Sequence, residues 1–281
     1  MTVLVAGSLH LDVVLRAPHL PALDETVMGS SVDYVFGGKG GNQAVAAARM
    51  GADVDFVGRA GSDRFGDMIR EALERSGVGL TQLQRDPGAS GMSAAILNAD
   101  GEYGAVVVSA ANLNIEVDPI HVPDGTTLVL LQNEIPEAVN LAVAKKARAE
   151  GAQVWLNAAP ARAVCAPLAA LVDLLIVNRI EAAFYAAQDG FAQSLTTLGG
   201  DGVSYGDAHY PGHQVDVVSA HGAGDMFVGA MAAQVDRGAS MVDAIGFAQA
   251  AAALHVASGL DERADLTPDK VTAFLAAQGR R

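Results

Sequence analysis

Residues 126–157 read TTLVLLQNEIPEAVNLAVAKKARAEGAQVWLN. A run rich in leucine and valine, TTLVLLQ, gives way to an alanine-rich segment of helical period, PEAVNLAVAKKARAEG, which closes on a glycine beyond its last turn. A second apolar run, AQVWLN, follows at once. Both runs read as buried strands, and strand, helix and strand in turn imply a parallel pair with the helix packed across it.

The same alternation extends in both directions. VLVAG (3–7), ADVDFVG (52–58) and DLLIVN (173–178) read as further buried parallel strands. NQAVAAARMG (42–51), DRFGDMIREALERSG (63–77), GDMFVGAMAAQVDRG (224–238) and MVDAIGFAQAAAALHVASG (241–259) read as helices. The expected fold is α/β, with a mostly parallel central sheet covered on both faces. Two stretches break the rhythm: ETVMGSSVDYVF (25–36) and SGMSAAILNADGEYGAVVVS (90–109) are β-rich without an intervening helix, and Asp100-Gly101 is a hairpin turn signal. They are expected to form a small projecting sheet over the mouth at the carboxyl ends of the parallel strands, where ligands of such folds sit.

Composition narrows the function. The chain has 281 residues, 51% hydrophobic and 18% charged, enough for a large core. A formal net charge of -14 disfavours nucleic acid and anionic membrane as partners. A single cysteine, Cys165, excludes an internal disulfide framework, and no apolar run approaches the roughly 20 residues of a membrane helix. The N-terminal MTVLVAGSLHLDVVL lacks a basic leader and reads as a first strand, so a soluble, cytoplasmic protein is expected. His209 and His213 in HYPGH lack a clustered third ligand and read as a surface loop, not a metal site.

Two glycine loops precede helices. In VFGGKGGNQAVAAARMG (35–51), glycines 37, 38, 40 and 41 let the backbone turn and let a ligand approach, while Lys39 and Asn42 offer polar groups. A polar-ligand cradle and a tight turn for helix packing, with Asn42 as cap and Lys39 solvated, explain the loop equally well. The spacing is neither a Walker loop nor a dinucleotide fingerprint. In SAHGAGDMFVGAM (219–231), free amides of Gly222, Ala223 and Gly224 at a helix N-terminus would make an anion site. Asp225 would be repelled by that anion, so its use there would be to take a proton from a hydroxyl attacking phosphorus. The plainer reading of Asp225 is an acid that complements the helix dipole.

GGKGGNQAVAAARMG (37–51), VNRIE (177–181), TTLGGDGV (196–203) and HGAGDMFVGAM (221–231) resemble, in this order, the signature regions of the ribokinase-like (PfkB) family of carbohydrate kinases. GFAQAAAALHVASG (246–259) resembles the family's last large helix. The resemblance, nearest to the ribokinase branch, implies a three-layer α/β/α domain over residues 1–281 with lid segments at about 12–36 and 90–109. It implies an ATP-dependent kinase acting on a primary hydroxyl of a small sugar, ribose-like or another furanose or ketose. The alternatives are a nucleoside kinase of the same family and a non-catalytic sugar-binding relative. Asp225 corresponds to the catalytic base, and Gly222, Ala223 and Gly224 to the anion hole. His10, Asp12, Gly38, Lys39, Asn42 and Glu134 correspond to the sugar site. Asn178 and Glu181 match the motif that organises Mg²⁺ and the phosphates, Glu181 through water, and Thr197, Gly199, Gly202, Gly224 and Gln249 fall to the nucleotide. On their residues alone, Asp12 and Glu134 could equally cap or end elements beside strands, Asn178 end a strand, and Glu181 lie on a solvated helix face. A homodimer paired through the lid sheet is also implied.

Four departures accompany the match. His10 stands where ribokinases carry an asparagine. Ser219 stands where many members carry an aspartate of a monovalent-cation site, so potassium activation is not expected. Met226 replaces a threonine after the base. The segment 178–199 has room for a short helix and little else, which predicts a trimmed nucleotide half.

Overall fold

The computed structural model describes residues 1–98, 103–259 and 262–278. The hairpin signal Asp100-Gly101 lies outside the described residues. Along the chain run β1 (Thr2–Ala6), β2 (His10–Arg16), β3 (Ser31–Gly37), α1 (Lys39–Arg49), β4 (Asp53–Gly61), α2 (Arg64–Arg75), β5 (Gly79–Asp86), β6 (Met92–Leu97) and β7 (Tyr103–Val108). There follow β8 (Thr126–Gln132), α3 (Glu137–Ala149), β9 (Gln153–Asn157), the single turn α4 (Ala166–Ala169), β10 (Leu174–Asn178), α5 (Arg179–Tyr185), β11 (Ser194–Thr197), β12 (Val203–Tyr205) and β13 (Ala208–Tyr210). The chain closes with α6 (Ala223–Asp236), α7 (Met241–Ala257) and α8 (Pro268–Gln278).

Nine strands form the main sheet in the order β13-β12-β11-β10-β9-β8-β1-β4-β5, parallel throughout except for the β11–β12–β13 edge. Successive residues of β1 serve opposite faces. Val3 and Val5 join the core shared with α1, α6 and α7, while Leu4 and Ala6 join the core shared with α3. Two buried faces are why the strands read as unbroken apolar runs. A separate four-stranded sheet, β3-β2-β6-β7, forms the lid. Its first segment is shorter than expected: residues 25–30 are not strand, β3 begins only at Ser31, and the Glu25 carboxylate accepts the Ala22 amide across a turn at 23–24.

Helices α1 and α6 approach unusually closely. A Cβ on Gly229 would stand 2.6 Å from both the Ala46 Cβ and the Gln43 carbonyl oxygen, so only glycine permits this contact. Asp225 lies one turn before Gly229 on the same helix face, and this packing presses it onto α1.

Candidate active site

Gly222 begins α6 with φ of 77° and no side-chain cap. A left-handed residue at this point suits glycine, which explains a helix that starts without an ordinary capping residue. The N–H groups of Gly222, Gly224 and Asp225 form no hydrogen bond among the described residues. The sequence predicts free amides at 222, 223 and 224, and here the structure differs. The Ala223 N–H donates to the Ala220 carbonyl at 3.3 Å, because the entering turn tightens to an i to i−3 bond, and the amide of Asp225 itself is bare instead.

The Asp225 carboxylate is only 8% exposed. Gln43 Nε2 donates to its Oδ1 at 3.0 Å and Asn42 Nδ2 to its Oδ2 at 3.1 Å. Burial pushes its pKa up; the Lys39 ammonium and these two donors oppose that shift, and the Glu134 charge adds to it. Asp225 is thus a buried aspartate with a raised pKa, held by two side-chain amides beside bare helix N–H groups, an environment that general acid–base catalysis uses. Asn42 is not a helix cap, since α1 begins at Lys39 after Gly38 with φ of 87°. A Cβ on Gly38 would stand 2.7 Å from the Ser8 carbonyl oxygen.

Three cavities adjoin this point. One of about 150 Å³ is lined by Lys39, Asn178, Glu181, Gly222, Gly224 and Asp225 among others. Toward the lid, sharing Lys39, lies one of about 480 Å³ whose walls include His10, Ser109, Glu134 and Arg162. His10 Nε2 is buried there without a hydrogen-bond partner among the described residues. Glu134 Oε2 accepts the Lys39 amide at 2.9 Å and the Ser8 hydroxyl at 2.5 Å, so this acid caps α1 as well as facing the cavity. Asp12 lies off these walls: its Oδ1 accepts Ser93 Oγ at 2.5 Å across the β2–β6 pair of the lid.

On the other side, sharing Thr197, Ala220, Ala223 and Gly224, opens a cleft of about 310 Å³ walled by Thr197, Gly199, Gly202, His213, Phe227 and Gln249 among others. A Cβ on Gly202 would stand 2.0 Å from the Tyr210 carbonyl oxygen, which requires glycine. Gln249 Nε2 donates to the same carbonyl at 2.9 Å. His213 stacks edge-on against Phe274 at 5.1 Å, and no cluster of three or more His, Cys, Asp or Glu side chains that could hold a metal occurs among the described residues. The segment 178–199 holds more than expected. Besides the seven-residue α5, it fits β11, which pairs in parallel with β10 and delivers Thr197 to the cleft.

Asn178 and Glu181 form a capping box on α5. Asn178 Oδ1 accepts the Ile180 and Glu181 amides, each at 2.9 Å, and Glu181 Oε2 accepts the Asn178 amide at 2.8 Å. Glu181 is 8% exposed and not on a solvated face.

Several residues of the site carried no signal strong enough to single out. Fully buried Gln43 donates to Asp225 and to Asn157 Oδ1 at 2.9 Å, while accepting from Gln132 Nε2 at 2.8 Å. The available hints were a polar residue inside the glycine-helix segment and one ending an apolar strand. Asn112 holds both backbone groups of Leu9, at 2.8 and 2.9 Å, and so fixes the strand junction before His10.

A bare helix N-terminus beside a buried carboxylate, with a cavity on either side, is an arrangement that phosphoryl transfer to a hydroxyl can use. The sequence model described as "pfkB family carbohydrate kinase" matches residues 2–264. Ribokinase of Bacillus subtilis (strain 168) is 33% identical over 270 residues, covering 90% of this chain and 92% of the relative. The crystal structure of ribokinase from Thermotoga maritima superposes with TM-score 0.87 at 27% identity, covering 98% of this chain and 99% of that one. The structure of Arabidopsis thaliana ribokinase complexed with ribose and ATP gives TM-score 0.85 at 28% identity, covering 98% of each chain. The chain belongs to the pfkB family of carbohydrate kinases, on its ribokinase branch.

Proposed function

We propose that this kinase transfers the γ-phosphoryl group of ATP to a primary hydroxyl of a ribose-like furanose. The arrangement of Asp225 carries the reading: a carboxylate with a raised pKa lines, beside the bare amides of α6, the small cavity that adjoins the lid-side cavity at Lys39 and the cleft of Gln249 at Thr197 and Gly224. The sugar occupies the lid side, where His10 Nε2 and Glu134 await hydrogen bonds, and ATP the cleft of Thr197, Gly202 and Gln249. Asp225 takes the proton of the attacking hydroxyl, the amides of Gly222 and Gly224 receive the charge that develops on the phosphoryl oxygens, and the lid excludes water.

The donor set fits Mg²⁺ carried with the nucleotide. Glu181 Oε2 is used in the cap, Oε1 makes no hydrogen bond among the described residues, and a single carboxylate suits a hydrated ion better than a protein cage. The ion would supply charge neutralisation at the phosphates. Exposed Val106, Val107 and Val108 on the lid edge β7 support pairing of two lids in a homodimer.

Replacing Asp225 by Asn tests the assignment. We expect a folded variant that still binds sugar, with turnover lower by about 10²- to 10⁴-fold. Because burial raises the Asp225 pKa, the deprotonated base is lost as pH falls through that raised value. The acid limb of kcat/KM should therefore lie above the ordinary aspartate range of about 3.9 and vanish from the residual activity of Asp225→Asn. Near-full turnover in the variant would refute the base.

A further inference from the structure

Arg263 is 7% exposed, and among the described residues no carboxylate pairs with it. A buried, uncompensated guanidinium is costly, so its surroundings must repay the lost hydration. They do so with backbone oxygens. Nη2 donates to the Ser219 carbonyl at 2.8 Å, Nη1 to the His221 carbonyl at 3.1 Å, and Nε to the His255 carbonyl at 3.2 Å. Two of these carbonyls belong to the four residues that lead into Gly222, and the third lies in the last turn of α7.

Other bonds tie the same segment down. The Val218 and Ser219 amides both donate to the Val256 carbonyl, at 2.8 and 3.1 Å, and His255 Nε2 donates to the His221 carbonyl at 3.0 Å. Burial pushes the His255 ring down to about 4, so the ring is neutral at pH 7 and Arg263 is the cation in contact with these carbonyls. Arg49, at the end of α1, in turn donates from Nη1 to the Arg263 carbonyl at 2.7 Å. Three carbonyl dipoles aimed at one point repel one another unless a positive charge sits between them. Removing that charge would loosen the 219–221 segment, which runs directly into the Gly222 and Gly224 amides.

We propose that Arg263 is a positioning residue for phosphoryl transfer, a resident cation whose guanidinium clamps the carbonyls of Ser219, His221 and His255 and thereby aims the amides at the start of α6. The proposal rests on the kinase reading above. It also makes the clamp complete without a dissolved cation: the carbonyl cage is filled by the chain's own side chain.

The test compares wild type, Arg263→Ala and Arg263→Lys, with melting curves as a check on folding. In Arg263→Ala we expect kcat lower by about 10- to 100-fold with the sugar KM within about twofold, since the loss falls on transition-state charge. Arg263→Lys, which keeps a point charge but not the three-way fork, should lose less. Added guanidinium or potassium ions should partly restore Arg263→Ala at constant ionic strength, whereas wild type should be indifferent to exchanging potassium for tetramethylammonium. Hydrogen exchange over residues 216–226 should quicken in Arg263→Ala, a readout independent of turnover. A folded Arg263→Ala within about twofold of wild type, or one whose loss no cation relieves, would overturn the proposal. So would wild type activated more than about threefold by potassium, a result that decides the matter even if both variants misfold. Wild type inactive on every sugar would sink the kinase reading alone, leaving the exchange rates to judge the clamp.

Discussion

Helices α5 and α6 begin on the walls of the same small cavity and treat their N-termini in opposite ways. Helix α5 satisfies itself: Asn178 takes two of its amides, and the carboxylate of Glu181 returns to the Asn178 amide. Helix α6 opens on a left-handed glycine with no side-chain cap, so the amides of Gly222 and Gly224 stay bare among the described residues. Both starts place a carboxylate at the third helical position, Glu181 and Asp225. Only at α6 is that acid turned away from its own helix, toward Asn42 and Gln43 of α1. A closed end is a structural device with one oxygen left over. An open end is a place for somebody else's charge.

The contrast can be broken by giving α6 a cap. Gly222→Asp would put a carboxylate over the amides and against the incoming phosphate, whereas Gly222→Asn would supply a neutral group that also tolerates the left-handed conformation. Either Cβ meets His255 Nε2 at 3.1 Å, so the steric load is shared and the charge is what differs. We expect the aspartate variant to lose about 10²- to 10³-fold in kcat/KM for ATP and the asparagine variant clearly less; equal losses would mean that α6 does not bind an anion. The contrast is sharpened at α5. Glu181→Gln keeps a capping box, since glutamine serves at that position, but removes the charge. Titration with Mg²⁺ should show a half-saturating concentration higher by about 10-fold with the melting temperature little changed. The smallest effect is expected on stability, at the other half of the cap. Asn178→Ala should destabilise the fold by about 1 kcal/mol in denaturant titrations, the ordinary worth of a lost N-cap.

Much of this molecule was legible along the chain. The five apolar runs became central strands, and the alanine-rich segments became the helices that cover them. Strands β5, β11, β12 and β13 were missed because GLTQLQRD has polar residues among its apolar ones and the other three are only three or four residues long. Residues 25–30 misled in the other direction, β-prone in composition but outside the strand that starts at Ser31. Within the site, the glycine loops, Asp225, Asn178 and Glu181 could be singled out because each sits in a short local pattern. Asn42 was located but read as a cap, since a cap and a partner for a distant acid look alike in one dimension.

What the sequence alone determined is the set of local conformations: apolar period fixes strand against helix, and glycine marks where the backbone must turn or be approached. Only the tertiary structure decided which polar groups meet. Gln43 reaches Asp225 across 182 positions, Lys39 reaches Glu134 across 95, and Arg263 reaches Ser219 across 44. Each of these bonds depends on how closely two elements pack, as α1 and α6 do over the bare face of Gly229, and that distance is a property of the assembled core, written in no single stretch of chain.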